Sequence, residues 1–127
     1  MDRNAHRQII CFDLDGVLCS QVETDYAEAK PNWEAISLVN QLYDQGYKII
    51  IHTARFMGRC QNNPIEVYKM GYGFTCKQLE SWGVKYHDLC MGKPRYDLVI
   101  DDRSLFFEPN WQKIKEAIES SGTLSQR

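Results

Sequence analysis

Short apolar runs alternate with amphipathic stretches along this chain of 127 residues, and polar side chains follow each run. Gln8–Phe12 and Tyr47–Ile51 are rich in β-branched and aromatic residues, which predicts two buried strands. Val84–Met91 contains a third predicted strand, and Tyr96–Ile100 is a fourth. Continuous apolar runs are typical of parallel strands buried on both faces, so the pattern predicts an α/β fold with a mostly parallel sheet flanked by helices.

Apolar residues at spacings of three and four predict helices between these strands. Asn32–Gln45 is the clearest helix, and Gly46 is a natural residue to end it. Farther along, two shorter helices are predicted at Pro64–Met70 and Phe74–Trp82, interrupted by the Gly-Tyr-Gly sequence at 71–73. Helices that connect consecutive strands make those strands parallel, so the carboxyl ends of the strands are expected to meet at one edge of the sheet.

The C-terminal part predicts one more helix, capped by Asn110 and ending near Ser120. The residues from about 121 to 127 are small and polar, and a frayed tail is expected there. No repeat, low-complexity stretch or linker divides the sequence, and its length suits one hydrophobic core. Residues 1–127 are therefore expected to form a single domain.

Charge and composition limit the classes of function. The net charge of −2 and the pI near 5.9 disfavour a nucleic-acid partner, because such proteins usually carry a strongly basic surface. No apolar run reaches the roughly 18–20 residues of a membrane helix, so no membrane partner is expected. The first eight residues are polar and lack the apolar region of a signal peptide, which predicts a cytoplasmic protein.

The five cysteines are odd in number and form no C-x-x-C pair, which favours reduced thiols in a reducing compartment. A zinc site built from Cys60, Cys76, His87 and Cys90 is conceivable, although these spacings match no common zinc pattern. Buried cysteines that act as small core residues are the simpler interpretation.

Six polar residues at or beside the predicted strand ends are candidates for a functional site. They are Asp13, Asp15, Thr53, Lys93, Asp101 and Asp102. Gly16 permits a turn directly after the first two acids. Open α/β sheets bind ligands at the carboxyl ends of their strands. Carboxylates gathered there repel one another, and Mg²⁺ would compensate them through oxygen ligands. His52 precedes Thr53 and is expected to face away from the site, because adjacent strand residues point to opposite faces.

The motifs Asp13-Leu14-Asp15-Gly16-Val17-Leu18, Thr53, Lys93 and Leu98-Val99-Ile100-Asp101-Asp102 occur in the order found in the haloacid dehalogenase (HAD) superfamily. The chain resembles that superfamily over essentially its whole length. The resemblance implies a three-layer, Rossmann-like fold and phosphoryl transfer through an aspartyl-phosphate. An aspartate at the second position, Asp15, favours the phosphatase branch over the dehalogenase branch.

The resemblance also implies a role for each matched residue. Asp13 would be the nucleophile and Asp15 the general acid and base. Thr53 and Lys93 would bind phosphoryl oxygens, together with backbone amides near the strand ends. These amides would come from Leu14 and Ala54. The implied cofactor is Mg²⁺, with the following ligand set: the Asp13 carboxylate, the Asp15 carbonyl, Asp101 and, through water or in an outer position, Asp102.

The stretches between motifs are too short for the cap domain that many superfamily members carry. The chain therefore resembles a capless member with an open site, which a homo-oligomer or the segment at 56–73 would cover. Its short length and the stretches Thr53–Arg55, Gly92–Pro94 and Asp101–Arg103 also resemble small phosphatases associated with capsule polysaccharide synthesis. A phosphorylated sugar or polyol is then the expected substrate, and Arg55 and Arg103 are the arginines expected to contact it.

Three alternatives stay open. A polynucleotide 3′-phosphatase would share the Asp-Asp-Arg sequence at 101–103, but no basic groove with interleaved aromatic residues is evident. A phosphate-binding or assembly protein with a degenerate site is disfavoured because all four motifs are complete. A receiver domain of a signalling pathway is disfavoured by motif order, since its phosphorylated aspartate follows a middle strand.

Overall fold

A computed structural model describes the backbone of residues 7–125 and the side chains of residues 7–121. Its elements are, in chain order, β1 (Ile9–Asp13), a 3-10 helix (Tyr26–Glu28), α1 (Trp33–Asp44), β2 (Lys48–His52), α2 (Pro64–Ser81), β3 (Asp88–Cys90) and α3 (Trp111–Ser125). The strands form one parallel sheet in the order β1-β2-β3. The coarse prediction of an α/β fold with a parallel sheet flanked by helices is confirmed.

The two faces of this sheet differ in burial. Phe12, Ile51 and Leu89 lie side by side on one face and belong to a core cluster that also contains the buried residues of all three α-helices. On the opposite face, Ile9 is 63% exposed and Cys11 is exposed as well. The prediction that the strands are buried on both faces is therefore wrong, because the helices contribute their apolar residues to one side of the sheet.

The predicted fourth strand, Tyr96–Ile100, does not form, and its Leu98 and Ile100 are 77% and 94% exposed. A parallel strand needs a crossover of about a dozen residues or more to return to the start of the sheet. Between the end of β3 at Cys90 and Tyr96 there are only the residues 91–95. The apolar run has the composition of a strand, but the connection before it is too short for an ordinary crossover.

The two helices predicted between 64 and 82 are one continuous helix, α2, and the Gly-Tyr-Gly sequence does not interrupt it. Gly71 is buried, and a Cβ atom built on it would lie 2.3 Å from the Phe56 ring. This glycine therefore lets an aromatic ring approach the helix backbone closely instead of ending the helix. Asn63 caps the helix by accepting hydrogen bonds from the amides of Ile65 and Glu66.

The other two helices begin where the sequence predicts. Asn32 caps α1 by accepting a hydrogen bond from the Ala35 amide, and Asn110 caps α3 in the same way through the Lys113 amide. α1 is followed by Gly46 at a φ of +99°, a conformation that favours glycine. α3 continues to Ser125, so the predicted helix end near Ser120 is wrong, and residues 126–127 lie outside the described residues.

Candidate functional site

A tight turn after β1 places the first two acids at the carboxyl end of the sheet. Gly16 adopts a φ of +89°, and its amide donates a hydrogen bond to the Cys19 carbonyl at 2.8 Å. The Leu18 amide donates to the Leu14 carbonyl at 2.9 Å, which closes the turn. The predicted sequence of strand, acids and glycine turn is therefore confirmed.

Asp13 lies at the end of β1 and forms an ion pair with Lys93. The Lys93 Nζ is 3.3 Å from the Asp13 Oδ1. The Lys93 side chain is 19% exposed and the Asp13 side chain is 37% exposed. The end of β2 positions the lysine, since the Lys93 amide donates to the Thr53 carbonyl at 3.1 Å. Burial by itself would lower the pKa of Lys93, but attraction to Asp13 and hydrogen bonds to Tyr96 and Asp13 raise it above its ordinary value. The lysine therefore stays charged beside the carboxylate.

Asp15 is held by Arg55, the largest fully buried side chain of the described chain. The Arg55 Nε lies 3.0 Å from both carboxylate oxygens of Asp15, and the Nη2 lies 2.9 Å from the Oδ1. Thr53 adds a hydroxyl donor to the Asp15 Oδ2 at 3.2 Å. Several charge-assisted donors on one carboxylate fix its orientation, and the planar guanidinium suits this geometry.

A second layer of contacts fixes Arg55 itself. Its Nη1 donates to the Gln78 Oε1 at 2.7 Å, and its guanidinium lies 4.8 Å from the centre of the Tyr26 ring. Gln78 in turn donates to the Tyr26 carbonyl at 2.8 Å, and the Phe56 amide donates to the Tyr26 hydroxyl at 3.2 Å. Residues of the 3-10 helix and of α2 therefore surround the guanidinium, so that a substrate cannot contact it.

The expected role of Arg55 as a substrate contact is thus wrong in this structure, because the side chain is 1% exposed and its donors are engaged.

The ion pairs of Asp13 and Asp15 also weaken one reason to expect a bound metal ion. The expectation of a compensating cation rests on repulsion among Asp13, Asp15, Asp101 and Asp102, and in this structure Lys93 and Arg55 already compensate the first two. Each acid of the turn has its own basic partner.

The predicted phosphate-binding groups differ in their availability. The Thr53 side chain is fully buried, donates its hydroxyl proton to Asp15 and accepts from the Arg55 amide at 3.0 Å. The Leu14 amide is engaged as well, by the His52 carbonyl at 3.1 Å and the Asp13 Oδ1 at 3.0 Å. Within residues 7–125, the Ala54 amide donates no hydrogen bond. Ala54 and Lys93 are therefore the better placed of the predicted donors to a phosphoryl oxygen.

The structure does not bring Asp101, Asp102 and Arg103 to this cluster. All three residues are exposed, and the Asp101 carboxylate accepts a hydrogen bond from the Arg103 amide at 2.9 Å within its own turn. Among residues 7–125, no three acidic, histidine or cysteine side chains are placed so that they could hold a metal ion. The donor set predicted for Mg²⁺ is therefore incomplete in this arrangement, and the same finding applies to the four conceivable zinc ligands.

His52 lies on the side of the sheet where Asp13 projects, because the two residues are paired in register across β1 and β2. The expectation that it faces away from the site is therefore wrong. Alternation along β2 separates His52 from Thr53, but it does not separate His52 from Asp13 on β1. Burial and then the charge of Lys93 lower the pKa of His52, while Asp13 acts in the opposite direction. The ring is therefore neutral near pH 7 and lies next to the ion pair.

Three residues of the cluster were missed by the sequence analysis: Cys19, Tyr26 and Gln78. Cys19 donates weakly to the Asp15 Oδ1 at 3.4 Å. Burial, followed by the charge of Asp15, raises the pKa of Cys19 to about 12, so it is a neutral thiol and not a nucleophile. Tyr26 and Gln78 are 52 residues apart, and no local pattern in the sequence links them to Asp15.

Comparisons with known proteins match the fold only. No family model and no curated protein matches the chain. A structural-genomics target from Vibrio cholerae, known from its crystal structure, is similar with 25% sequence identity and a TM-score of 0.75. The match covers 90% of this chain and 98% of that protein. No helix within residues 7–125 is both long enough and apolar enough to cross a membrane.

Proposed function

We propose that this chain is a capless HAD-type phosphatase that hydrolyses a phosphate monoester through an aspartyl-phosphate on Asp13. We further propose a small sugar or polyol phosphate as its substrate and Mg²⁺ as its cofactor, as in the capsule-associated phosphatases that the sequence resembles. The observation that carries the proposal is the meeting of Asp13, Asp15 and Lys93 at the carboxyl edge of a parallel sheet. This edge is where open α/β sheets bind ligands.

In the first step, an Asp13 oxygen attacks the phosphorus atom, and the bond between phosphorus and the ester oxygen breaks. Asp15 gives its proton to the departing oxygen, so the alcohol leaves neutral. Aspartate is an established covalent nucleophile for phosphoryl groups. Lys93, 3.3 Å from Asp13, is placed to bind a phosphoryl oxygen and to stabilise its charge.

In the second step, water attacks the aspartyl-phosphate, and Asp15 accepts the proton from the water. The phosphorus–oxygen bond to Asp13 breaks, which releases inorganic phosphate and restores the free carboxylate. The donors from Arg55 and Thr53 hold the Asp15 carboxyl group in one orientation for both proton transfers. Arg55 is therefore a positioning residue that acts through Asp15, and Thr53 has the same role in this arrangement.

The described arrangement supports no step through Mg²⁺, since Asp101 and Asp102 are not gathered with Asp13. The steps above are accordingly derived from the protein's own side chains. Mg²⁺ is tested as a variable: we expect phosphate release to depend on it, because Asp13 and Asp101 match the metal ligands of the superfamily in the sequence. A metal that binds these acids would have to bring the segment around Asp101 toward β1.

The test is phosphate release from p-nitrophenyl phosphate, sugar phosphates, polyol phosphates and a 3′-phosphorylated oligonucleotide, with Mg²⁺ and with a chelator. We expect release from a small phosphate ester, and we expect Asp13→Asn to lower it by at least about a thousandfold because the nucleophile is lost. The control is Glu119→Gln, an exposed acid on α3 that should leave the rate unchanged.

Three results would contradict this proposal. A strong preference for the oligonucleotide would favour the polynucleotide phosphatase. Binding of inorganic phosphate without release from any ester, by a protein shown to be folded, would favour a phosphate-binding protein. Activity that persists in Asp13→Asn would exclude the covalent mechanism.

A further inference from the structure

Arg59 and Arg95 are two exposed cations for which the mechanism has no use. Neither guanidinium forms an ion pair with a side chain in the part of the chain that the structure describes. By contrast, Arg55 and Lys93 are each paired with an acid. The sequence favours Arg55 and Arg103 as substrate contacts, whereas the cations left unpaired in the structure include a different pair of arginines.

Arg59 is oriented by contacts that leave its charge free, and Arg95 lies near the same loop. Arg59 lies over two rings, 5.2 Å from the centre of Tyr26 and 4.9 Å from the centre of Phe56. Arg95 lies against Gly58, where a methyl group would come 2.9 Å from its Nη1. Gly58 directly precedes Arg59, so the two cations flank the same short loop. Cation–π stacking orients a guanidinium without neutralising it.

This loop is connected to the site from two sides. Arg95 follows Lys93 by two residues, and Lys93 contacts Asp13. Arg59 shares the Tyr26 ring with Arg55, which holds Asp15. Each unpaired cation is therefore linked to one acid of the proposed reaction, Arg95 along the chain through Lys93 and Arg59 through the Tyr26 ring. An oxyanion that contacts either guanidinium would form charge-assisted hydrogen bonds with a cation that has no acidic partner among the described residues.

We propose that Arg59 and Arg95 form a second anion subsite, which recognises a phosphate or carboxylate group on the substrate in addition to the phosphate that is removed. The inference rests on the proposed function, because it assigns the first phosphate to Asp13. The chemical class of the substrate is then a small phosphate monoester with a second anionic group, such as a sugar bisphosphate or a phosphorylated sugar acid. Guanidinium groups bind both anions through paired hydrogen bonds.

The test measures equilibrium binding by calorimetry to Asp13→Asn, which cannot turn the probes over, at physiological ionic strength and with Mg²⁺. Fructose 1,6-bisphosphate is compared with fructose 6-phosphate, and 6-phosphogluconate with glucitol 6-phosphate, which has the same open chain. Each pair differs by one anionic group, a phosphate or a carboxylate. We expect at least one doubly anionic probe to bind at least about tenfold tighter than its partner, which corresponds to one good charge-assisted contact.

Matched variants made in the Asp13→Asn protein then show which residues cause the tighter binding of the doubly anionic probe. The double variant Arg59→Gln with Arg95→Gln should remove it and leave the affinity for the monophosphates within about twofold. Lys77→Gln, which removes one exposed charge from α2, should leave it intact. Equal affinity within both pairs, an advantage that survives the double variant, or an advantage lost through Arg103→Gln alone would each overturn the proposal. Tighter binding of the 3′-phosphorylated oligonucleotide than of both doubly anionic probes would overturn it as well.

Binding and turnover fail independently in this design. A wild-type protein that hydrolyses none of these probes, with the binding advantage still lost in the double variant, would reject the phosphatase and keep the subsite. Hydrolysis with equal binding within both pairs would reject the subsite and keep the phosphatase.

Discussion

Two apolar runs of similar composition differ in secondary structure and in burial in this protein. β2 (Lys48–His52) is the central strand of the sheet, and Ile49 and Ile51 in it are fully buried. Tyr96–Ile100 forms no strand, and its Ile100 is 94% exposed. A long helical connection leads into β2, whereas five residues connect β3 to the second run. The difference shows that an apolar run becomes a strand only where the preceding connection lets it reach a sheet edge.

The same contrast extends to the polar residues that follow each run. After β2, Thr53 and Arg55 bind Asp15, and the Thr53 carbonyl holds the Lys93 backbone. After the second run, Asp101 contacts the amide of Arg103 within its own turn. One set of candidate residues is assembled around β1, and the other is separate from it. The predictions below test this contrast, from the largest expected effect to the smallest.

Equivalent truncations in the two runs should have very different effects on stability. We expect Ile51→Ala to lower the free energy of unfolding by about 3–4 kcal/mol, because it leaves a cavity in the core. Ile100→Ala should change it by less than about 0.5 kcal/mol, because that side chain is exposed. Urea denaturation measures both. A loss above about 2 kcal/mol for Ile100→Ala would mean that the second run is packed in solution.

The arginines after the two runs offer a second matched pair. Arg55→Gln removes one partner of a buried ion pair and should lower the free energy of unfolding by about 3 kcal/mol. Arg103→Gln should lower it by less than about 0.5 kcal/mol, since Arg103 is exposed.

The role of Arg55 as a positioning residue has a separate readout in turnover. Under the proposed mechanism, a folded Arg55→Gln protein should lose kcat and keep KM within about threefold, because Arg55 acts through Asp15. A large rise in KM with unchanged kcat would instead make it a substrate contact.

Hydrogen exchange of the backbone amides compares the runs without substitution. In metal-free buffer, amides in β2 should exchange at least about a hundredfold more slowly than those of Leu98–Ile100, which lie outside the sheet. If Asp101 holds Mg²⁺ together with Asp13, added Mg²⁺ should slow exchange at Leu98–Ile100 in the wild type and not in Asp101→Asn. Equal protection of the two runs without metal would contradict the contrast.

The smallest expected effect is a pH dependence from the end of β2. The pKa of His52 is lowered from 6.5 by burial and by Lys93. Because the unfolded chain binds this proton more readily, the contribution of His52 to stability is present above about pH 6.5 and is lost as the pH falls through the lower folded pKa. The half-buried ring is screened by solvent, so the loss should be a few tenths of a kcal/mol.

Urea denaturation at pH 7.5 and pH 5.5 measures this loss, and His52→Gln should make stability less dependent on pH over that interval. The same dependence in wild type and His52→Gln would show that other groups cause it.

The sequence by itself determined the parts of this protein that depend on neighbouring residues. The apolar run before Asp13, the glycine turn at Gly16 and the asparagine caps of the helices follow from backbone conformation and local hydrogen bonds. The order of β1, the helix α1 and β2 also follows, because a helical connection makes the two strands parallel. These features were predicted to within one or two residues.

Only the tertiary structure decided which charges are paired. The contacts of Asp15 with Arg55, and of Asp13 with Lys93, join residues that are 40 and 80 positions apart. Such pairs depend on where loops and helices meet in the folded protein. The local pattern of apolar and polar residues in the sequence does not predict them. The tertiary structure also decided that Tyr96–Ile100 stays outside the sheet, because pairing needs a free edge within reach and not only apolar side chains.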